Sequence, residues 1–146
     1  MSDGKRYSLI RPTTDTPLHI DFEWWKTHDN NWRVFLQSYL CPTHQAAFAS
    51  MDHDSQLDFV DPQTAEVHSM DGLQHVLMSH CARQPEFINV NTTLVDGAFR
   101  VFLANGNAPL SSQELADKIN RPAETILRTL LGPTIYKGLR PFLQGN

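Results

Sequence analysis

The chain has two cysteines, and each has a histidine within three residues of it. Cys41-Pro-Thr-His44 sets a thiol and an imidazole around a two-residue spacer, a turn that aims both side chains at one ion. His80-Cys81 supplies a second thiol and a second imidazole. Two thiolates and two imidazoles satisfy tetrahedral Zn²⁺ with no open position, which is the pattern of a structural site and not a catalytic one. The predicted ligands are therefore Cys41, His44, His80 and Cys81, with His75 or His68 as the alternatives for the fourth. His75 and Cys81 stand six positions apart, about 240° around a helix, so a regular helix does not converge them. His80 converges only at a helix end, and Pro85 predicts such an end close by. The 35 residues between His44 and His80 exceed a simple finger but suit an interrupted site. The same donors would serve a metal or redox sensor.

Other chemistries find less support. Asp52-His-Asp-Ser-Gln-Leu-Asp58 opens like a calcium loop with oxygens at alternating positions. It then has Leu57 where the loop needs glycine and Gln63 where it needs glutamate. No glycine-rich phosphate loop, nucleophile elbow or His-Glu-x-x-His is present. Cys41 and His44 as nucleophile and base would straddle a proline, a spacing that suits ligation better. The spacing also differs from the paired loops of Rieske centres. No enzyme is expected.

The elements that must carry the donors can be read next. Asp21 or a neighbour starts a helical stretch bearing Phe22, Trp24 and Trp25. A second run, from about Asn30 to Leu40, carries Trp32, Val34, Phe35, Tyr39 and Leu40, aromatics read as core and not as a stacking surface for bases. Leu57–Val60 and Glu66–Met70 flank Asp61-Pro-Gln-Thr-Ala, a hairpin pattern with a proline-containing turn. A helix from Asp71 to Arg83 brings back the second cysteine. The result is a small α+β unit stapled by metal.

From Pro109 the punctuation is dense. In Pro109-Leu-Ser-Ser-Gln-Glu-Leu-Ala116, Ser111 can cap a helix while Glu114 reaches back to the cap amide. Leu110 and Leu115 occupy the two positions of a hydrophobic staple. Asn120-Arg-Pro122 closes that helix and opens the next, with proline where its missing N–H is harmless. Ala123, Ile126, Leu127 and Leu130 fall at i, i+3, i+4 and i+7, one buried face, and Gly132-Pro133 ends the run. Upstream, Thr93 to Asn105 predicts a three-turn amphipathic helix ending at Gly106. Downstream, Thr134-Ile-Tyr-Lys-Gly-Leu-Arg-Pro-Phe142 predicts a β-ribbon turning near Gly138.

Helix, helix-turn-helix and ribbon in that order, over about residues 88–142, resemble a winged helix-turn-helix domain. The resemblance implies binding of double-stranded DNA through the second helix of the pair, about Ala123–Leu131. Arg121, Thr125, Arg128 and Thr129 would meet the groove, with Lys137 and Arg140 of the ribbon on phosphates. Winged helices also serve as protein-interaction and dimer-forming modules, so a protein partner or a homodimer is the alternative.

Charge follows the same division. Residues from Phe87 onward carry a net +2, and residues 1–86 a net −6. Phosphate neutralisation favours a basic face, and the basic residues fall in the turn, second helix and ribbon. The hydrophobic share of 40%, with eight Phe and three Trp, is enough for a core. No apolar run approaches a membrane span and no signal peptide opens the chain, so a cytoplasmic protein is expected. The predicted organisation is an extended arm over residues 1–18, a zinc-binding α+β module over 19–86 and a winged helix over 87–146. The fold class is α+β, mostly helical, and the expected role is a small DNA-binding, transcription-regulator-like protein.

Overall fold

Capping residues fix where the helices begin. In the computed structural model, which describes residues 12–49, 56–60, 67–89 and 92–142, Asp21 accepts the Trp24 amide at 3.0 Å and starts α1 (Phe22–His28). A short α2 (Trp32–Gln37) and α3 (Pro42–Ala49) follow. α4 (Gly72–Ser79) runs into a single 3-10 turn at Cys81–Arg83. Thr93 caps α5 (Leu94–Ala104) through the Asp96 amide, and the helix ends at Asn105 just before Gly106 at φ 73°. Ser111 and Glu114 form the reciprocal capping box at the head of α6 (Ser112–Ile119), at 3.2 and 2.9 Å. Asn120 then takes the left-handed conformation, φ 57° and ψ 52°. A short polar side chain tolerates that region, and the chain turns into α7 (Ala123–Leu130) behind Pro122.

Two small antiparallel sheets accompany the helices. β2 (Gln56–Val60) and β3 (Val67–Asp71) pair as the expected hairpin, Phe59 opposite His68; its turn lies outside the described residues. The other sheet has the order β4–β1–β5. Its middle strand is β1 (Pro17–Ile20), between β4 (Leu110–Ser111) and β5 (Leu139–Pro141). Leu18 faces Leu110 on one side and Pro141 on the other, and Ile20 faces Leu139.

That sheet corrects two expectations. Pro17 and Leu18, assigned to an extended arm, belong to the central strand, and Leu18 is 0% exposed. Thr134–Phe142 is also not a ribbon paired with itself. The turn near Gly138 exists, with Leu139 N–H donating to Tyr136 O at 2.8 Å and both Lys137 (φ 51°) and Gly138 (φ 77°) at positive φ. The strand that leaves it pairs with β1 from the other end of the chain. Gly138 is required there twice over. Its φ is one that side chains rarely adopt, and a Cβ would sit 2.9 Å from the Asp21 carbonyl oxygen.

One hydrophobic cluster joins residues from both sides of position 86. Trp25 meets Phe99 edge-on at 5.4 Å between ring centroids. Leu36, Leu73 and Leu77 share the cluster with Phe102, Leu115, Ile126 and Leu130. Ile126 and Leu130 of α7 are fully buried, as the sequence spacing predicts, while Leu127 is only half-buried. No helix among the described residues is long and apolar enough to cross a membrane.

Candidate metal centre

The four predicted donors converge. Pro42 occupies the first helical position of α3, where its missing N–H costs nothing. Cys41 therefore stands just outside the helix, its carbonyl accepting the Gln45 amide at 2.9 Å, and His44 follows within the first turn. From the opposite side, α4 stops at Ser79 and His80 leaves helical geometry at φ −127° and ψ −64°. The break corrects the continuous helix to Arg83, and it is the break that lets neighbouring His80 and Cys81 face one point.

Cys41 Sγ lies 3.1 Å from His44 Nδ1, 3.4 Å from Cys81 Sγ and 3.9 Å from His80 Nδ1. Cys81 Sγ lies 3.6 Å from His44 Nδ1. All four donor atoms fall within 4.8 Å of one another. Zinc bonds of about 2.3 Å to sulfur and 2.0–2.1 Å to nitrogen give a tetrahedron whose edges are about 3.4–3.8 Å. The separations of 3.1–3.9 Å bracket those edges, all six pairs lie within 4.8 Å, and the four residues could hold a metal ion. Cys81 is buried, Cys41 and His44 are half-buried and His80 is exposed, so the cluster is closed on the core side. The His44 and His80 rings meet edge to face at 4.5 Å. His75 is not among the four; the side chain of His68 lies outside the described residues.

The surroundings of Cys81 disfavour its bare thiolate. Burial pushes the Cys81 thiol up, and the neighbouring Cys41 contributes in both directions. A metal ion supplies the positive charge that two adjacent thiolates need. A cavity of about 160 Å³ borders the cluster, lined in part by Cys41, Cys81, Tyr39, Phe87 and Arg100.

Behind that cavity is a polar group that sequence reasoning missed. Lys137 Nζ donates to Tyr39 Oη at 2.6 Å and sits 5.1 Å from the centre of the Tyr39 ring. Arg100 donates to Asp96 at 2.9 Å and to the Phe87 carbonyl at 3.0 Å, its guanidinium lying over Tyr39 and Phe87. Burial lowers the Lys137 ammonium and raises the Tyr39 phenol, with Asp96 opposing the first and adding to the second. The Asp96/Arg100 spacing of i, i+4 on a predicted helix was the one available signal.

The residues predicted to meet DNA are placed less uniformly. Arg128 is exposed on α7, flanked by half-buried Thr125 and Thr129. Arg121 donates to the carbonyls of Thr92 at 2.9 Å and Ile119 at 3.2 Å, and so holds the turn to the start of α5. Arg140 donates to Asp21 at 3.1 Å and lies 5.3 Å over Trp24. With Lys137 on Tyr39, three of the four cations have internal partners. Comparison with protein-family models, curated proteins and solved structures finds no match for the chain.

Proposed function

We propose that the chain is a zinc-stapled recognition protein: a structural Zn²⁺ ties the α2–α3 junction to the end of α4, and the helix-turn-helix half presents α7 to a macromolecular partner. The convergence of Cys41, His44, His80 and Cys81 from two distant segments supports the zinc reading. Two thiolates with two imidazoles form a closed set typical of structural zinc. About one Zn²⁺ per chain is expected by elemental analysis of purified protein. Cys41→Ser should remove the ion and lower the melting temperature together, because a structural metal contributes directly to folding free energy. A metal-free wild type that cannot take up zinc would defeat this reading.

The class of partner rests on the cations. Internal hydrogen bonds from Arg121, Lys137 and Arg140 leave Arg128 as the basic residue of α7, with exposed Glu124 one turn before it. Such a near-neutral face supports a protein partner or a second copy of the chain. DNA binding by a transcription-regulator-like protein is the second reading, favoured by the winged-helix resemblance and by Arg128 between two threonines. Affinity for duplex DNA measured against salt separates the two. A protein-binding module gives little or no salt-dependent binding. A slope equivalent to several phosphates, at about 0.9 per phosphate on a logarithmic plot, establishes DNA instead.

A further inference from the structure

The two cysteines of the chain are 40 positions apart in sequence, yet their sulfurs are 3.4 Å apart. A disulfide needs about 2.05 Å, so the sulfurs must close by roughly 1.4 Å to bond. They are not equivalent. Cys81 is 1% exposed, whereas Cys41 is half-buried at the mouth of α3. A cavity whose lining includes Cys41 and Cys81, and neither His44 nor His80, has room for a small oxidant beside the pair. A thiolate that attacks peroxide becomes a sulfenic acid, which a second thiol within reach converts to a disulfide.

We propose that Cys41 and Cys81 are a peroxide-oxidised pair, Cys41 the sulfur oxidised first and Cys81 the one that resolves it, and that their disulfide takes over the staple as the ion leaves. The Cys41 thiolate attacks one peroxide oxygen. An S–O bond forms, the O–O bond breaks, and hydroxide departs. The Cys81 thiolate then attacks the Cys41 sulfur, forming S–S, breaking S–O and expelling a second hydroxide. Two electrons pass from the sulfurs to the peroxide, two protons from solvent turn both hydroxides into water, and Zn²⁺ is released from the two histidines that remain. The α2–α3 junction and the end of α4 stay linked throughout, first through the metal and then covalently. Ion release rests on the zinc reading; the sulfur pair does not.

The test is to treat the full chain, zinc-loaded and zinc-free in parallel, with hydrogen peroxide. Released zinc, free thiols, intact mass and far-ultraviolet circular dichroism are followed together. The zinc-loaded chain should lose one ion and two thiols, drop by about 2 Da and keep its helix signal, all reversed by a dithiol and zinc. Cys81→Ser should instead stop at an adduct of about +16 Da that a dimedone probe traps on Cys41, the intermediate deprived of its resolving thiol. If the wild type takes up no zinc, the metal reading has failed, while a 2 Da loss in the same chain still supports the pair. Mass gains of about 32 or 48 Da, or a disulfide between chains, would overturn the proposal in either arm.

Discussion

At the scale of single residues, one thiol and one carboxylate make predictions that depend on pH. Burial holds the Cys81 thiol above its ordinary value, so at neutral pH metal binding through that sulfur must expel its proton. Affinity for zinc should fall by about tenfold or more for each unit that pH drops through this range, as read by competition with a chelator of known affinity. An affinity indifferent to pH would mean that the Cys81 thiolate does not bind the ion. Asp96 is subject to opposed effects. Burial pushes its carboxyl up, but hydrogen bonds from Tyr39 and Arg100 outweigh that and hold it below the usual carboxylate range. Its folded pKa is thus depressed, so its contribution is present above the unfolded value and lost as pH falls through the folded one. Asp96→Asn should be less stable than wild type near neutrality, and the gap should narrow as pH falls below the ordinary carboxylate range. Equal gaps in melting temperature at both ends would reject the assignment. The Cys/His cluster that could hold a metal ion was legible in the sequence because residue type and short spacing already suggest ligation. Lys137 was not: nothing local distinguishes an ammonium directed at phosphate from one that a left-handed turn directs at Tyr39.

Elements were legible where their own punctuation fixes them. Ser111 with Glu114, Thr93, Asn120 and Pro122 sit at helix ends and act through neighbours a few residues away, so α5, α6 and α7 fall where the spacing places them. Ser111→Ala should cost about 1 kcal/mol by loss of the cap, measured by denaturant unfolding. Strand pairing between distant segments has no such local signal. Pro12 to Pro17 reads as a loop, and the strand that begins at Pro17 has only four residues. Leu18→Ala gives a direct check on that strand. A buried leucine in the middle of a sheet should cost about 2–5 kcal/mol, whereas a leucine in a solvated arm would cost almost nothing. The end of α4 at Ser79 is an intermediate case. Pro85 marks a boundary nearby, but the break comes five residues earlier, at His80, and it turns an awkward ligand pair into a convergent one.

At the scale of the whole molecule, the sheet and the core both cross the boundary that composition and charge suggest near residue 86. β1 lies between β4 and β5, and Trp25 packs on Phe99. A fragment comprising residues 87–146 keeps the helix-turn-helix but lacks the middle strand of its sheet and the aromatic partner of α5. It should show helical signal without a cooperative melting transition, while the full chain melts cooperatively. A cooperative transition in the fragment would mean that the helical half is self-sufficient. The difference in net charge between the two halves is real, but it does not divide the fold, because burial follows apolar contact and is indifferent to the sign of the surface around it.

The position of β1 also sets an order of events during synthesis. Its neighbour β5 is separated from it by well over a hundred residues. Closing so long a loop is slow compared with forming helices, whose contacts are local. A ribosome that has delivered β1, α1 and the whole segment bearing the Cys/His cluster still holds back the strand that completes the sheet. Until Pro141 emerges, one edge of β1 is unpaired and open to other chains, a known route to aggregation. Early capture of zinc by the nascent chain would shorten the remaining search by pinning the α2–α3 junction to the end of α4 before the last strand arrives.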